Sequence, residues 1–228
     1  MANPDMPRGG VARRPVARRA FAVPLAALSA TLAFVALALL VPAAPAGSQA
    51  KRKTHEEVEA SIAAHKGDFD YLLGDWEYTA VRTTPEGDQK FRGFWSAVRL
   101  DEGQILDEYR VVSDKGDETW YVTTTLRNYN AFLDRWELVG ADAGTGLMDM
   151  GTAHKEGAEM RIEQTFGVAS GNPSTLRIRY YDIQKDRFSW EADRSTDGGK
   201  TWIKRQQTIE ARRIGPPRTL PALAPPRP

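Results

Sequence analysis

The sequence contains no cysteine and only three histidines among its 228 residues. Without cysteine the chain has no disulfide, no thiolate nucleophile, no iron–sulfur cluster and no cysteine-ligated zinc site. His55 and His65 are spaced too widely to share one metal-binding face, and His154 stands alone at a polar turn. The composition therefore predicts solvated surface histidines, no metal site and no cofactor.

The chain also lacks a basic cluster large enough to bind a phosphate backbone. Residues 1–50 carry five Arg and one Asp, which leaves 26 basic and 29 acidic residues in the remainder. In that remainder the longest basic run is Lys51–Lys53, and the others are no longer than pairs such as Arg212–Arg213. Affinity for nucleic acid comes from clustered Lys and Arg, so we expect no nucleic-acid partner.

The N-terminal segment has the three parts of an export signal. Five arginines between Arg8 and Arg19 precede an uncharged run from Ala20 to Val41. The small-x-small patterns of Ala44–Ala46 and Ser48–Ala50 follow it and offer cleavage sites. Residues 1–50 are therefore predicted to be an export signal peptide, which makes the mature protein periplasmic or secreted.

An uncleaved anchor is the alternative interpretation of the same segment. A run of about 20 apolar residues is long enough to span a bilayer, so residues 20–41 can also anchor the chain in the inner membrane. In either case the Arg-rich end stays cytoplasmic and the body lies outside. The residues Arg18–Phe21 resemble the core of a twin-arginine signal, although Ala22 and Val23 depart from it, so the export route stays open.

Residues 51–67 are predicted to form a short helix or linker ahead of the main domain. Thr54 followed by Glu57 has the spacing of a capping box. Gly67 is placed where helices commonly end.

From Trp76 to Arg212 the pattern is one short alternating segment after another. Turns such as Pro85–Asp88 and Ser170–Pro173 supply the glycine, asparagine, aspartate and proline that tight connections need. No intervening helical stretch is long enough for a parallel crossover, so neighbouring strands are expected to pair antiparallel. The predicted strands are 76–83, 89–99, 104–112, 118–127, 132–139, 146–153, 158–166, 175–183, 187–195 and 201–212.

Ten antiparallel strands in sequence form a meander, and closure of so long a sheet removes its exposed edges. The fold class predicted for residues 68–213 is therefore all-β, a single antiparallel meander β-barrel of about ten strands with a short N-terminal helix. Residues 214–228 are rich in proline and are predicted to be a disordered tail.

Strand alternation separates an aromatic face from a charged face, as at Trp190 and Glu191. Inward aromatic side chains either pack a core or line a cavity. A buried arginine would also hold a ligand carboxylate through its bidentate guanidinium. The candidate ligand-binding residues are Trp76, Tyr78, Trp95, Arg110, Trp136, Arg179 and Trp190.

The segment Leu73–Trp76 resembles the Gly-x-Trp signature of the calycin group, the lipocalins and their barrel relatives, in which the tryptophan closes one end of the barrel. Together with Phe69–Trp76, Arg179–Asp182 and the closing hairpin Ser189–Glu191 to Ile209–Arg212, it makes residues 66–213 similar to a family of uncharacterised exported bacterial proteins with a lipocalin-like barrel. The resemblance implies a barrel and a pocket. It brings no assigned activity and no catalytic residues.

The nitrobindins, a haem-binding barrel family, have a similar Leu-Gly-x-Trp start. Haem needs an axial ligand, usually histidine. The final strands contain no histidine, and the barrel's one histidine, His154, is expected at the surface. Haem is therefore not expected.

Two further motifs resemble functional sites but are interpreted as structural. Ser195–Trp202 matches the Asp-box of sialidases, yet it occurs once and outside any four-strand repeat. We expect a hairpin in which Asp197 accepts hydrogen bonds from its own turn. Gly144–Gly151 resembles a phosphate loop but lacks the Gly-Lys-Ser/Thr ending and the following helix.

These features leave three functional hypotheses. The first is an exported barrel that binds a small, largely apolar ligand. The second is a small-molecule isomerase or hydrolase that uses polar residues inside the barrel. The third is a membrane-anchored structural envelope protein, with the membrane contacted only through the uncleaved N-terminal segment.

Overall fold

The structure is a computed structural model that describes residues 52–113 and 115–220. The predicted signal segment at residues 1–50 and the final eight residues of the predicted tail lie outside this part of the chain.

Within the described residues one helix and a short 3₁₀ turn precede a succession of strands. The helix α1 spans His55–His65, and the 3₁₀ turn spans Asp70–Leu72. The strands are β1 (Gly74–Thr84), β2 (Gly87–Arg99), β3 (Ile105–Val112), β4 (Thr119–Asn130), β5 (Arg135–Asp142), β6 (Gly146–Glu156), β7 (Glu159–Phe166), β8 (Ser174–Tyr181), β9 (Arg187–Ser195), β10 (Ile203–Gly215) and β11 (Arg218–Thr219).

Strands β1 to β10 form a closed antiparallel meander. Each pairs with its neighbours in sequence, and β1 also pairs with β10, so that Tyr78 lies opposite Ala211 on one side and Gly93 on the other. Closure leaves no free edge along this sheet. The predicted fold class, an all-β meander barrel of ten strands with a short N-terminal helix, is confirmed.

Helix α1 begins at the predicted capping box. The Thr54 hydroxyl accepts the backbone N–H of Glu57, and the Glu57 carboxylate accepts the backbone N–H of Thr54. At the other end of α1 the ring of His65 stacks on Tyr129 of β4, with 4.8 Å between ring centroids. His65 is therefore half-buried, whereas the sequence predicted a solvated residue, because the helix end lies against the barrel.

Trp76 lies at the closed end of the barrel, which we define as the end formed by Phe69, Leu72, Trp76, Trp136 and Phe188. All five of these side chains are buried. The indole N–H of Trp76 donates to the Leu72 carbonyl over 2.8 Å. The guanidinium of Arg213 lies 4.0 Å above the Trp76 ring and donates to the Leu73 carbonyl. The lead-in turn is thereby fixed across the end of the barrel.

The segment Ser195–Trp202 is a hairpin turn, as predicted. Asp197 accepts hydrogen bonds from the backbone N–H groups of Lys200 and Thr201 and from the Thr201 hydroxyl. Hydrogen bonds from the Thr201 hydroxyl, then from the Thr201 backbone N–H and the Ser195 hydroxyl, lower the pKa of Asp197 to about 2. The motif thus orders the β9–β10 connection.

Replacing Asp197 with alanine is expected to lower the melting temperature at neutral pH, because four turn donors, among them the Ser195 hydroxyl, lose their acceptor. Since the pKa of Asp197 is depressed, its contribution to stability is present above about pH 4 and is lost as the pH falls towards 2. Thermal unfolding at pH 7 and at pH 2.5 measures this. Asp101→Ala, at an exposed aspartate of the β2–β3 turn, is the control, and equal melting temperatures for the two variants at pH 7 would contradict the assignment.

The beginning of the predicted disordered tail differs from the prediction. Strand β10 continues to Gly215, and β11 pairs in parallel with Val98 and Arg99 of β2. The guanidinium of Arg218 forms a bidentate ion pair with Asp75 at 2.6 and 2.8 Å. Backbone pairing and this ion pair hold the segment on the barrel, and sequence composition does not report either interaction.

Across residues 52–113 and 115–220, no helix has the length and apolar character needed to cross a bilayer.

Candidate ligand-binding cavity

The barrel encloses a cavity of about 660 Å³. Several of its lining residues are themselves exposed, so the cavity is open at the end opposite the closed end. We call this opening the mouth and define it by Arg82, Lys90, Trp120 and Arg194. Trp120 is 58% exposed there.

Much of the cavity wall is apolar. Inward positions from six strands contribute aliphatic or aromatic side chains, as strand alternation requires. These residues are Trp95, Leu138, Ile162, Ile178, Tyr180, Trp190 and Ile209. A wall of this kind favours a ligand with an apolar body.

Three charged side chains interrupt the apolar wall, and we call Asp107, Arg127 and Asp149 the charged cluster. All three line the cavity, and their exposed fractions are only 2%, 3% and 4%. The Nε of Arg127 donates to Asp107 Oδ2 over 2.5 Å, and the indole N–H of Trp95 donates to Asp107 Oδ1 over 2.8 Å. Burial alone would lower the pKa of Arg127, but the Asp107 carboxylate raises it above its ordinary value. Asp107 and Arg127 therefore form a buried ion pair.

Asp149 has a different environment from Asp107. No hydrogen bond or ion pair to its carboxylate is present among the described residues. Its side chain occupies space left by Gly140 on β5, because a Cβ at that glycine would lie 2.3 Å from Asp149 Oδ2. Burial raises the pKa of Asp149 to about 6, with Arg127 opposing the rise and Asp107 adding to it. The cavity therefore contains a carboxylate, that of Asp149, which has no hydrogen-bond or ion-pair partner in the part of the chain that the structure describes and whose pKa is about 6.

Tyr109 and Tyr121 also line the cavity, and Tyr78 contacts Tyr109 from the core beside it. Tyr78 and Tyr109 stack with ring centroids 4.9 Å apart, and the Tyr78 hydroxyl donates to the Arg110 carbonyl. Burial is the main cause that raises the pKa of Tyr109 to about 12. The hydroxyl of Tyr121 is buried without a hydrogen-bond partner. These phenols remain protonated at neutral pH and serve as hydrogen-bonding groups.

The predicted site residues fall into three groups. Trp95 and Trp190 line the cavity. Trp76, Tyr78 and Trp136 are buried in the core beside it. Arg110 and Arg179 occupy the outer face, contrary to the expectation that they point inward.

Both outward arginines have acidic partners at the surface. Arg110 pairs with Glu108 at 2.6 Å, and Arg179 pairs with Glu191 at 3.0 Å and with Glu159 at 3.6 Å. The physical reason is their register, because each alternates with an inward tyrosine, Tyr109 or Tyr180. The Arg110–Glu108 pair is exposed to solvent and the Arg179–Glu191 pair is partly buried, and neither arginine lines the cavity.

Sequence reasoning missed the charged cluster. The sequence pattern at Asp107 could have predicted an inward charge, because this aspartate alternates with Ile105 and Tyr109 on an otherwise apolar face of the strand. Arg127 lay at the last position of the predicted strand 118–127, where alternation does not define which face of the sheet a side chain occupies. Asp149 adjoins a register shift between β5 and β6 that sequence does not report.

His154 is exposed, next to inward Ala153 on β6, and does not line the cavity. Among residues 52–113 and 115–220, no group of three or more His, Asp or Glu side chains could hold a metal ion.

No family model matches the chain, and no curated protein sequence matches it. Among solved structures it is similar to Rv2717c from M. tuberculosis, with 13% identity and a TM-score of 0.50 over 68% of this chain and 97% of that one. The chain has a calycin-like barrel. A second similar structure is the S-type phycobiliprotein lyase CPES from Guillardia theta, with 11% identity and a TM-score of 0.43 over 70% of this chain and 96% of that one. At 13% identity the likeness to Rv2717c shows the barrel fold alone.

Proposed function

We propose that this protein is an exported calycin-like barrel that binds a small, largely apolar molecule. The observation that carries the proposal is the cavity of about 660 Å³, with its aromatic and aliphatic wall and its few buried polar groups. Ligand pockets typically have volumes of about 300–1,000 Å³ and combine apolar walls with a few polar groups that orient the ligand. A sealed core of the same side chains would leave no such volume.

The export part of the proposal rests on the sequence of residues 1–50. Basic, apolar and small-residue regions follow one another in the order of a signal peptide. Cell fractionation together with intact-mass measurement distinguishes the outcomes. A shortened periplasmic or secreted form supports cleavage, and a full-length form in the inner membrane supports an anchor at residues 20–41.

Native mass spectrometry of the protein purified from its own host tests ligand binding. We expect a bound small molecule that is released on denaturation. Recovery of an empty protein that also fails to bind apolar fluorescent probes would overturn the proposal.

A cavity-filling variant makes the binding test specific. Gln164 on β7 lines the cavity, and its neighbour Thr165 is exposed on the outer face. We expect Gln164→Trp to weaken probe binding at least about tenfold because the indole occupies ligand volume. Thr165→Trp, the matched control, is expected to bind as the wild type does. Equal affinities for the two variants, measured by fluorescence titration, would place the probe outside the barrel.

A specific observation also supports a second candidate function, proton-transfer catalysis on the bound molecule. A general base works best when its pKa lies near the operating pH, and burial raises the pKa of Asp149 to about 6 inside the cavity. Solvent deuterium exchange into the host ligand, lost in Asp149→Asn, would support an isomerase. Binding without exchange or turnover would leave the protein as a binder.

A further inference from the structure

Asp149 is the one member of the charged cluster whose side chain makes no hydrogen bond or ion pair within the described residues. It is 96% buried, lines the cavity and lies over the gap left by Gly140. Buried carboxylates are ordinarily paired or hydrogen-bonded. A polar group that is buried, unpaired and directed into a cavity needs a partner, and the ligand can bring it.

The charges around Asp149 decide what that partner should be. Arg127 on β4 pairs through its Nε with Asp107 on β3 at 2.5 Å, so these two charges balance, while the Nη1 of Arg127 has no hydrogen-bond partner within the described part of the chain. The adjacent register positions on β5 and β7 are Gly140 and Phe166, which carry no charge. Tyr121 of β4 stays protonated at neutral pH because burial raises its pKa. An ionised Asp149 therefore leaves the cavity interior with one uncompensated negative charge.

Resting on the ligand-binding function proposed above, we propose that the ligand is a small amine whose protonated nitrogen pairs with Asp149 while its apolar body packs on the cavity wall. An ammonium neutralises the uncompensated charge and forms a charge-assisted hydrogen bond, which is stronger than a neutral one. Gly140 contributes by leaving the carboxylate room to lie beside β5.

The charge of the mouth favours an anionic ligand, which is the main alternative to an amine. Arg82, Lys90 and Arg194 are cationic and would attract an anion. Arg82 and Lys90 are exposed to water and salt, which screen such charges. Arg82 also donates to the Gln207 side chain. An anion that reached the interior would be repelled by Asp149, and among residues 52–113 and 115–220 the donors left to it are Arg194, whose buried Nε has no hydrogen-bond partner, and the Nη1 of Arg127.

Four probes with one apolar body and different head groups test the proposal. They are 2-naphthylmethylamine, 2-naphthylmethanol, 2-naphthoate and 2-methylnaphthalene, and isothermal titration at pH 7.5 measures each affinity. We expect the amine to bind most tightly and the carboxylate more weakly than the amine. Tightest binding by the carboxylate would overturn the proposal in favour of recognition by the mouth.

Asp149→Asn separates the carboxylate from the shape of the cavity. We expect the amine to bind about 10- to 100-fold more weakly to this variant, since hydrogen bonds to a charged group have about that effect, while methylnaphthalene binds unchanged. Glu163→Gln makes the same charge change on the exposed outer face of β7 and is expected to leave all four affinities as in the wild type. An unchanged amine affinity in Asp149→Asn overturns the proposal.

A pH series adds an independent readout. Because burial raises the pKa of Asp149 to about 6, the amine should bind about tenfold more weakly at pH 5 than at pH 7.5, with methylnaphthalene unaffected. Asp107, Arg127 and Tyr121 also interact with Asp149, so the loss must disappear in Asp149→Asn to be assigned to this carboxylate. If none of the four probes binds, the proposed ligand-binding function fails. If all bind alike, only the amine proposal fails.

Discussion

Replacing Arg127 with leucine is expected to destabilise the protein by about 3–5 kcal/mol, because removal of one partner leaves the other charge buried and uncompensated. Both partners are almost inaccessible, with Asp107 2% and Arg127 3% exposed. Their contact of 2.5 Å lies deep in the barrel. Chemical denaturation at pH 7.5 measures the change in the free energy of unfolding.

The matched control is Arg110→Leu on the neighbouring strand β3. Arg110 pairs with Glu108 at a similar distance of 2.6 Å, but both side chains are about two-fifths exposed. Solvated pairs of this kind contribute about 0–1 kcal/mol, so the two arginines separate the effect of burial from that of pairing. Equal losses in the two variants would show that the Asp107–Arg127 pair is hydrated.

A second substitution in the Arg127→Leu background identifies the cause of the loss. Asp107→Asn removes the stranded charge but keeps an oxygen that can accept the indole N–H of Trp95. The double variant Asp107→Asn/Arg127→Leu is therefore expected to be more stable than Arg127→Leu alone. If the double variant is less stable than the single one, packing of the arginine over Phe69, at 4.9 Å, is the larger contribution.

The barrel could be predicted from the sequence because its determinants are local. Gly87 shows this, since its φ of +118° in the β1–β2 hairpin is a conformation that glycine adopts readily. Turn residues of this kind separate segments whose alternating pattern has the period of a strand. The Gly-x-Trp start located the closed end for a similar reason, because Trp76 bonds to Leu72 only four residues away.

The candidate site could be predicted only in part, because its determinants are long-range. Alternation placed Trp190 on the aromatic face, and Trp95 was named as a candidate ligand-binding residue; both line the cavity. The inward position of Asp149 depends on the register between β5 and β6, where an irregularity follows Gly140. It also depends on Gly140 itself, which leaves room for the carboxylate. Neither relation is visible along one strand. Residues 218 and 219 were placed in the tail for the same reason, since their partners lie about 120 residues earlier, on β2.

Asp149→Asn is expected to stabilise the unliganded protein above pH 6, by about 3 kcal/mol at pH 8. Burial raises the pKa of Asp149 from 3.8 to about 6, and each unit of such a shift corresponds to about 1.4 kcal/mol. Between pH 3.8 and about pH 6 the folded state keeps the Asp149 carboxyl protonated, whereas the unfolded state has lost that proton. Stability therefore falls as the pH rises from about 4 to 6, and it stays lower above that range.

Denaturant unfolding of the wild type and Asp149→Asn at pH 4, 6 and 8 measures this difference. The two proteins should have similar stabilities at pH 4, where Asp149 is protonated, and should diverge as the pH rises. Glu163→Gln on the exposed face of β7 controls for net charge, and its difference from the wild type should stay small across the series. A wild type as stable as Asp149→Asn at pH 8 would mean that the carboxylate is hydrated inside the cavity. A stabilised variant would show that the barrel keeps this carboxylate at a cost to its own stability, and a group kept at such a cost belongs to a functional site.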